Sequence, residues 1–184
     1  MYMKYLLIIP LMLLLACGQQ QTDSTTEATG APLGGGQSTV KDETSEPDVV
    51  RVAVGSADHT TLVTALKAAS YVDALSNAGP FTVFAPTNAA FEKLPAGTVE
   101  GLLKPESKEA LQNILEYHVY VGVINEEFVR DGMTFNQVNL DNVTLNKSDD
   151  GKMTVNGANV LGKVKASNGV VYVIDAVLLP PDKK

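Results

Sequence analysis

The chain contains a single cysteine, Cys17, and it lies at the end of an apolar run close to the start of the sequence. No internal disulfide framework is available, so whatever folds must be held by packing and hydrogen bonds. The run, Leu6 to Leu15, follows Lys4. At about ten residues it is half the length that a bilayer-spanning helix needs, and it fits the core of a secretory signal. From Gly18 to Asp48 the composition changes to Gln, Thr, Ser, Gly and acid, with almost no large apolar side chain. Such a stretch cannot bury enough surface to offset its ordering entropy and reads as a stalk. Some thirty residues of flexible chain would hold a domain roughly 30 Å away on average. The triple glycine Gly34-Gly35-Gly36 has no Gly-Lys-Ser/Thr after it and reads as spacer, not as a phosphate loop.

Leu14-Leu15-Ala16-Cys17-Gly18 resembles the lipobox of bacterial lipoproteins. The resemblance implies cleavage after Ala16 and a diacylglycerol, with palmitate-type chains, on the Cys17 thiol. Two or more acyl chains hold a protein on a membrane stably, whereas one is marginal. The sequence thus divides into a signal peptide (1–16), a lipidated cysteine and stalk (17–48) and one domain (49–184). Gly18-Gln19 supplies no Asp after the cysteine, which favours an outer-membrane or cell-surface address over retention at an inner membrane. The alternative is an ordinary cleaved signal or a short hydrophobic anchor.

The net charge of −7 sits mostly in the stalk, where Asp23, Glu27, Asp42, Glu43, Glu46 and Asp48 face only Lys41. The domain is nearly balanced and has no basic stripe interleaved with aromatics, which argues against a nucleic-acid partner. Its first half reads as helical. Asp58 is placed as the cap of a helix carrying Leu62, Val63, Leu66 and Ala69, and Ser70 as the cap of a second one ended by Gly79-Pro80. Phe81 to Ala85 reads as a buried strand, followed by a turn of helix capped by Thr87 or Asn88. A longer helix starts near Pro105 with Ala110, Leu111, Ile114 and Leu115 as its apolar stripe, and a short helical piece covers Glu126 to Arg130.

The second half reads as strands, with Val138, Leu140, Val143, Leu145, Met153, Val155 and Val160 alternating with polar residues. Asp150-Gly151, Asn156-Gly157 and Asn168-Gly169 punctuate it at hairpin spacing. The last strand, Val170 to Leu179, is apolar at nearly every position and so is covered on both faces. Helices first and a hairpin-rich sheet later make an α+β domain.

Three segments together resemble the fasciclin (FAS1) family: Thr82 to Phe91, Leu115-Glu116-Tyr117-His118-Val119, and Asn168 to Pro180. The resemblance implies a wedge-shaped β-sandwich with helices clustered at one side. It also implies a cell-adhesion or extracellular binding role, with Phe84, Thr87, Asn88, His118 and Asp175 as structural signature positions. Tyr172 departs from the pattern, since members often carry His there.

Tyr117-His118 is the candidate binding segment, because in animal members it has been proposed as an adhesion motif. The competing structural reading buries His118 and hydrogen-bonds its ring, in the direction of the Thr87-Asn88 turn, with Tyr117 packed beside it. Asp175 is either a carboxylate with a raised pKa or an anchor for backbone amides. Two histidines without a thiolate or an acidic cluster give no metal-ligand spacing, and no cofactor motif is present. Gly-x-Ser-x-Gly and a convincing Ser-x-x-Lys are absent. The leading expectation is a non-enzymatic, membrane-tethered adhesion module for an envelope or extracellular protein or polysaccharide. The alternatives are a carrier of a small apolar ligand, which needs a large enclosed apolar cavity, and, less favoured, a hydrolase of a cell-wall or polysaccharide bond using Asp175 with His118.

Overall fold

The computed structural model describes residues 46–181. Cys17, the segment read as a signal peptide and the stalk up to residue 45 lie outside the described residues. Six helices are described: α1 (Val49–Val54), α2 (Thr60–Ala68), α3 (Val72–Ser76), α4 (Asn88–Glu92), α5 (Thr98–Leu102) and α6 (Lys108–Tyr117). The strands are β1 (Phe81–Pro86), β2 (Val119–Val121), β3 (Met133–Asn136), β4 (Asn142–Lys147), β5 (Met153–Val155), β6 (Ala158–Ala166) and β7 (Gly169–Ile174).

The strands follow the order β2-β1-β7-β6-β5-β4-β3 in one hydrogen-bonded sheet. Strands β1 and β7 are its parallel pair, in register from Phe81↔Gly169 to Pro86↔Ile174, so the first and last family-like segments lie side by side. Because side chains alternate along a strand, this pair serves two cores. Val83, Ala85 and Val171 meet the helices through Val49, Leu62, Leu66, Leu111 and Leu115. Phe84, Val170, Tyr172 and Ile174 point the other way and meet Val143, Leu145 and Val155 from β4 and β5. The sheet thus bends over to cover its own inner face. Its two ends also meet: the Val138 amide donates to the Val119 carbonyl at 2.9 Å, and Tyr120 sits edge-on to Phe135 at 5.4 Å. This is the expected α+β arrangement, built from one nearly closed sheet with helices against one face.

Several local expectations change. Asp58 does not cap α2; Ser56 accepts the Asp58 amide and starts a 3-10 turn, Ala57–His59, that runs into the helix. Ser70 does not cap α3 either, because it takes a left-handed φ of 56° that ends α2, and its hydroxyl meets Lys108 Nζ instead. Thr87 does cap α4, accepting the Ala90 amide. Residues 126–128 form a turn and not a helix, and Val138 and Leu140 belong to the β3–β4 connection. Leu140, with φ 70° and 78% exposure, faces solvent. Ala110 is exposed, leaving Leu111 and Leu115 as the buried stripe of α6. Strand β7 stops at Ile174, beyond which Leu178 still reaches the inner core.

The Asn-Gly pair before β7 does more than turn the chain. Asn168 accepts the Val49 amide at 2.9 Å and donates to the carbonyls of Leu75 and Asn77, both at 2.8 Å. Its own carbonyl accepts the Phe81 amide. Gly169 (φ 158°) follows because a Cβ there would strike the Phe81 carbonyl. One side chain therefore joins the start of α1 and the end of α3 to the β6–β7 turn. Asn168→Ala is expected to cost about 1–3 kcal/mol, since part-buried backbone groups lose their partners. A urea midpoint equal to that of the parent would show that these bonds carry no net stability.

Candidate functional site

His118 follows the last turn of α6 and is 3% exposed. Its Nδ1 lies 2.7 Å from the Ile114 carbonyl, which can only accept, so Nδ1 carries the proton. Nε2 then accepts the Leu178 amide at 3.0 Å. The expected partner at the Thr87-Asn88 turn is replaced by these two. Burial pushes the ring pKa down to about 4, against a smaller upward pull from the Ile114 carbonyl. The side chains around the ring, among them Leu62, Leu115, Val119 and Val177, are apolar, so no carboxylate offsets the desolvation. The neutral histidine fastens the segment after β7 to the end of α6.

Tyr117 is buried too. Its hydroxyl donates to the Asn142 carbonyl at 2.9 Å and accepts from Asn156 Nδ2 at 2.7 Å. Asn88 reaches across from α4: Oδ1 accepts the Thr61 amide at 3.0 Å and Nδ2 donates to the Ala57 carbonyl at 2.9 Å. It thereby satisfies an open amide at the start of α2. Phe84 stacks on Tyr172 at 6.0 Å, and the Tyr172 hydroxyl donates to the Ile124 carbonyl at 2.8 Å.

Asp175 accepts the Asn159 amide (2.7 Å) on Oδ1 and Asn159 Nδ2 (2.8 Å) on Oδ2, with Lys93 Nζ 3.7 Å from Oδ2. The Asn159 bonds hold its pKa below the ordinary carboxylate value. A raised pKa, which the hydrolase alternative needed of a proton donor, is therefore corrected to a lowered one. His118, sealed from solvent, offers that alternative no base either. The carrier alternative fares no better: the two enclosed apolar spaces beside His118 are each about 20 Å³, room for about one water and far below the roughly 300 Å³ of a ligand site. Among the described residues no group of three His, Cys, Asp or Glu is placed to hold a metal, and no helix is long and apolar enough to cross a membrane.

The surface offers a different feature, an open groove of about 940 Å³ at one end of the sheet. Its floor is the Gly79-Pro80 loop against Gly169 and Val170. One wall is the β2–β3 connection at Val123, Ile124, Asn125 and Glu127, and the other is β6 at Lys163 and Lys165. Tyr117, His118 and Asp175 do not line it. Gly79-Pro80 and Asn168-Gly169 stood out in the sequence only as turn signals, and Val123, Glu127, Lys163 and Lys165 did not stand out at all, because stretches distant in the chain build the groove.

A profile described as Fasciclin domain matches residues 57–180. The chain belongs to the fasciclin family. Protein sll1483 of Synechocystis sp. is 53% identical over 134 residues, covering 72% of this chain and 73% of its own length. The cell surface glycolipoprotein MPT83 of Mycobacterium tuberculosis is 44% identical over 110 residues, 60% of this chain and 48% of that protein. The chain thus spans about half of that relative. A solved FAS1 domain pair from the insect cell adhesion molecule Fasciclin I matches with a TM-score of 0.64 at 18% identity, over 72% of this chain and 51% of the other. That likeness concerns the fold alone. Within this fasciclin domain the residues of the Tyr-His segment face inward and the groove faces out.

Proposed function

We propose that this chain is a non-enzymatic, lipid-anchored binding module that presents its fasciclin domain outside the cytoplasm and recognises a protein or polysaccharide through the groove. The observation carrying this reading is the groove itself: it is open, mostly apolar in its lining and carries both signs of charge, with Lys163 and Lys165 against Asp48 and Glu127. The Tyr-His segment supports it from within, by holding α6 and the chain after β7 in place. The surface address draws support from the similarity to cell surface glycolipoproteins and from the lipobox-like residues at Cys17.

The test uses the soluble chain from Gly18, which lacks the lipidated Cys17, probed against glycan arrays and envelope proteins. Val123→Glu, on the 57% exposed Val123 of the groove wall, is expected to abolish capture with the melting temperature unchanged. Capture unaffected by this substitution would remove the groove from the reading. For the anchor, Cys17→Ser is expected to move the protein out of the membrane fraction, because the acyl chains attach through that thiol. Labelled palmitate entering the serine variant as well as the parent would refute the lipid assignment.

A further inference from the structure

We propose that the groove takes an extended peptide of a partner protein whose acidic side chains recur at every second position, with apolar side chains between them. This rests on the reading of the groove as the binding site and adds the class of ligand. Lys163 and Lys165 both line the groove, and they pair with Tyr172 and Val170 of β7, two side chains on the same face of the sheet. Two residues apart on one strand, they stand about 7 Å from each other along β6. An extended peptide has the same rise, so carboxylates at alternate positions meet the two ammonium groups in register. Its other face then lies on the exposed apolar side chains of Pro80 and Val123.

The wall already accepts carboxylates from elsewhere in the chain. Lys163 Nζ is 3.3 Å from Glu126 Oε1, and Lys165 Nζ is 3.6 Å from Glu46 Oε2. Both pairs are solvent-exposed and so contribute little, and an incoming carboxylate exchanges for either at small cost. Asp48 and Glu127 line the groove as well and disfavour any acid beyond the two that meet Lys163 and Lys165, which is why the pattern alternates acid with apolar residues instead of running acidic throughout.

The probe is an acetylated, amidated Glu-Val-Glu-Val-Glu-Val peptide, titrated by calorimetry into the soluble chain. The controls are Glu-Glu-Glu-Val-Val-Val and polygalacturonate. The alternating peptide is expected to bind about tenfold more tightly than the block peptide, and about tenfold more tightly to the parent than to Lys163→Glu/Lys165→Glu, the scale of two exposed charge contacts. Affinity is expected to fall with added salt. Lys165→Glu alone, at an 80% exposed side chain, serves if the double variant fails to fold. Equal binding of the two peptides, binding unchanged in a folded variant, or tighter binding of polygalacturonate would overturn the proposal. If no peptide binds while Val123→Glu still abolishes capture of an envelope component, the peptide class is refuted and the groove reading stands.

Discussion

Truncating Phe84 to alanine is expected to lower stability by about 3–5 kcal/mol, the usual cost of emptying a buried aromatic site. Phe84 is fully buried in β1 and stacks on Tyr172 with the ring planes 25° apart. Its ring lies in the inner core with Val143, Leu145 and Val155 from the far strands. In the strand order β7 and β6 stand between β1 and those strands, so the contact links the sheet across its interior. Domains of this size are stable by about 5–15 kcal/mol in all. Urea denaturation of Phe84→Ala should therefore show a large fall in midpoint. A melting temperature within a degree or two of the parent would mean that the inner core does not depend on this ring.

The second large effect is a dependence on acid. The His118 pKa is pushed down to about 4 in the folded chain, against about 6.5 when unfolded. Between those values the unfolded chain binds the extra proton, so stability falls as pH is lowered from about 6.5 to about 4 and is fully present above that window. The loss amounts to about 3 kcal/mol, because each tenfold difference in proton affinity between the folded and unfolded chain is worth about 1.4 kcal/mol. His59, also buried and shifted down mainly by desolvation, adds in the same direction. Denaturant midpoints measured from pH 7 to pH 4 should decline, and His118→Gln should flatten much of the decline. His118→Ala at neutral pH strands the Leu178 amide and the Ile114 carbonyl, at about 1–3 kcal/mol, while partner capture in the cold should persist. A stable His118→Ala chain that no longer captures its partner would place this residue in recognition after all.

The parts of the fold legible in the sequence were those whose local signals agree with their final partners. β1 and β7 are apolar at nearly every position because both faces are covered, and that covering is what their composition shows. Asn156-Gly157 adopts positive φ at both residues, as a tight hairpin of this kind requires. Elsewhere tertiary partners outweigh propensity. Val49–Val54, to which the sequence reading assigned no element, is rich in β-branched residues that suit a strand, yet it is helical because Asp48 caps it through the Arg51 amide and Asn168 holds its first amide. The residues 126–130, polar and charged enough for a helix, stay a turn tied to β4 and β6 through Lys147 and Lys163.

The candidate site was legible only in part. The inward-facing signature residues could be singled out, because a Tyr-His pair ending a helix and an acid among valines are local patterns. Their partners could not, since Leu178 is 60 residues from His118 and Asn159 is 16 residues from Asp175. The groove left only its turns as a local trace, Gly79-Pro80 and Asn168-Gly169. Pro80, Val123 and Lys165 converge only after the sheet has closed.

The meeting of β2 with the β3–β4 connection bears on whether a second molecule can add to the sheet. An open sheet edge is a template on which a second molecule can add its own strand. Molecules confined to two dimensions meet far more often than the same number free in solution, so an unguarded edge there would promote lateral zipping. Here the terminal strands are three and four residues long, and the Val138–Val119 bond with the Tyr120–Phe135 contact occupies much of the border between them. Much of the edge on which a second copy would add a strand is thereby already in use within the domain.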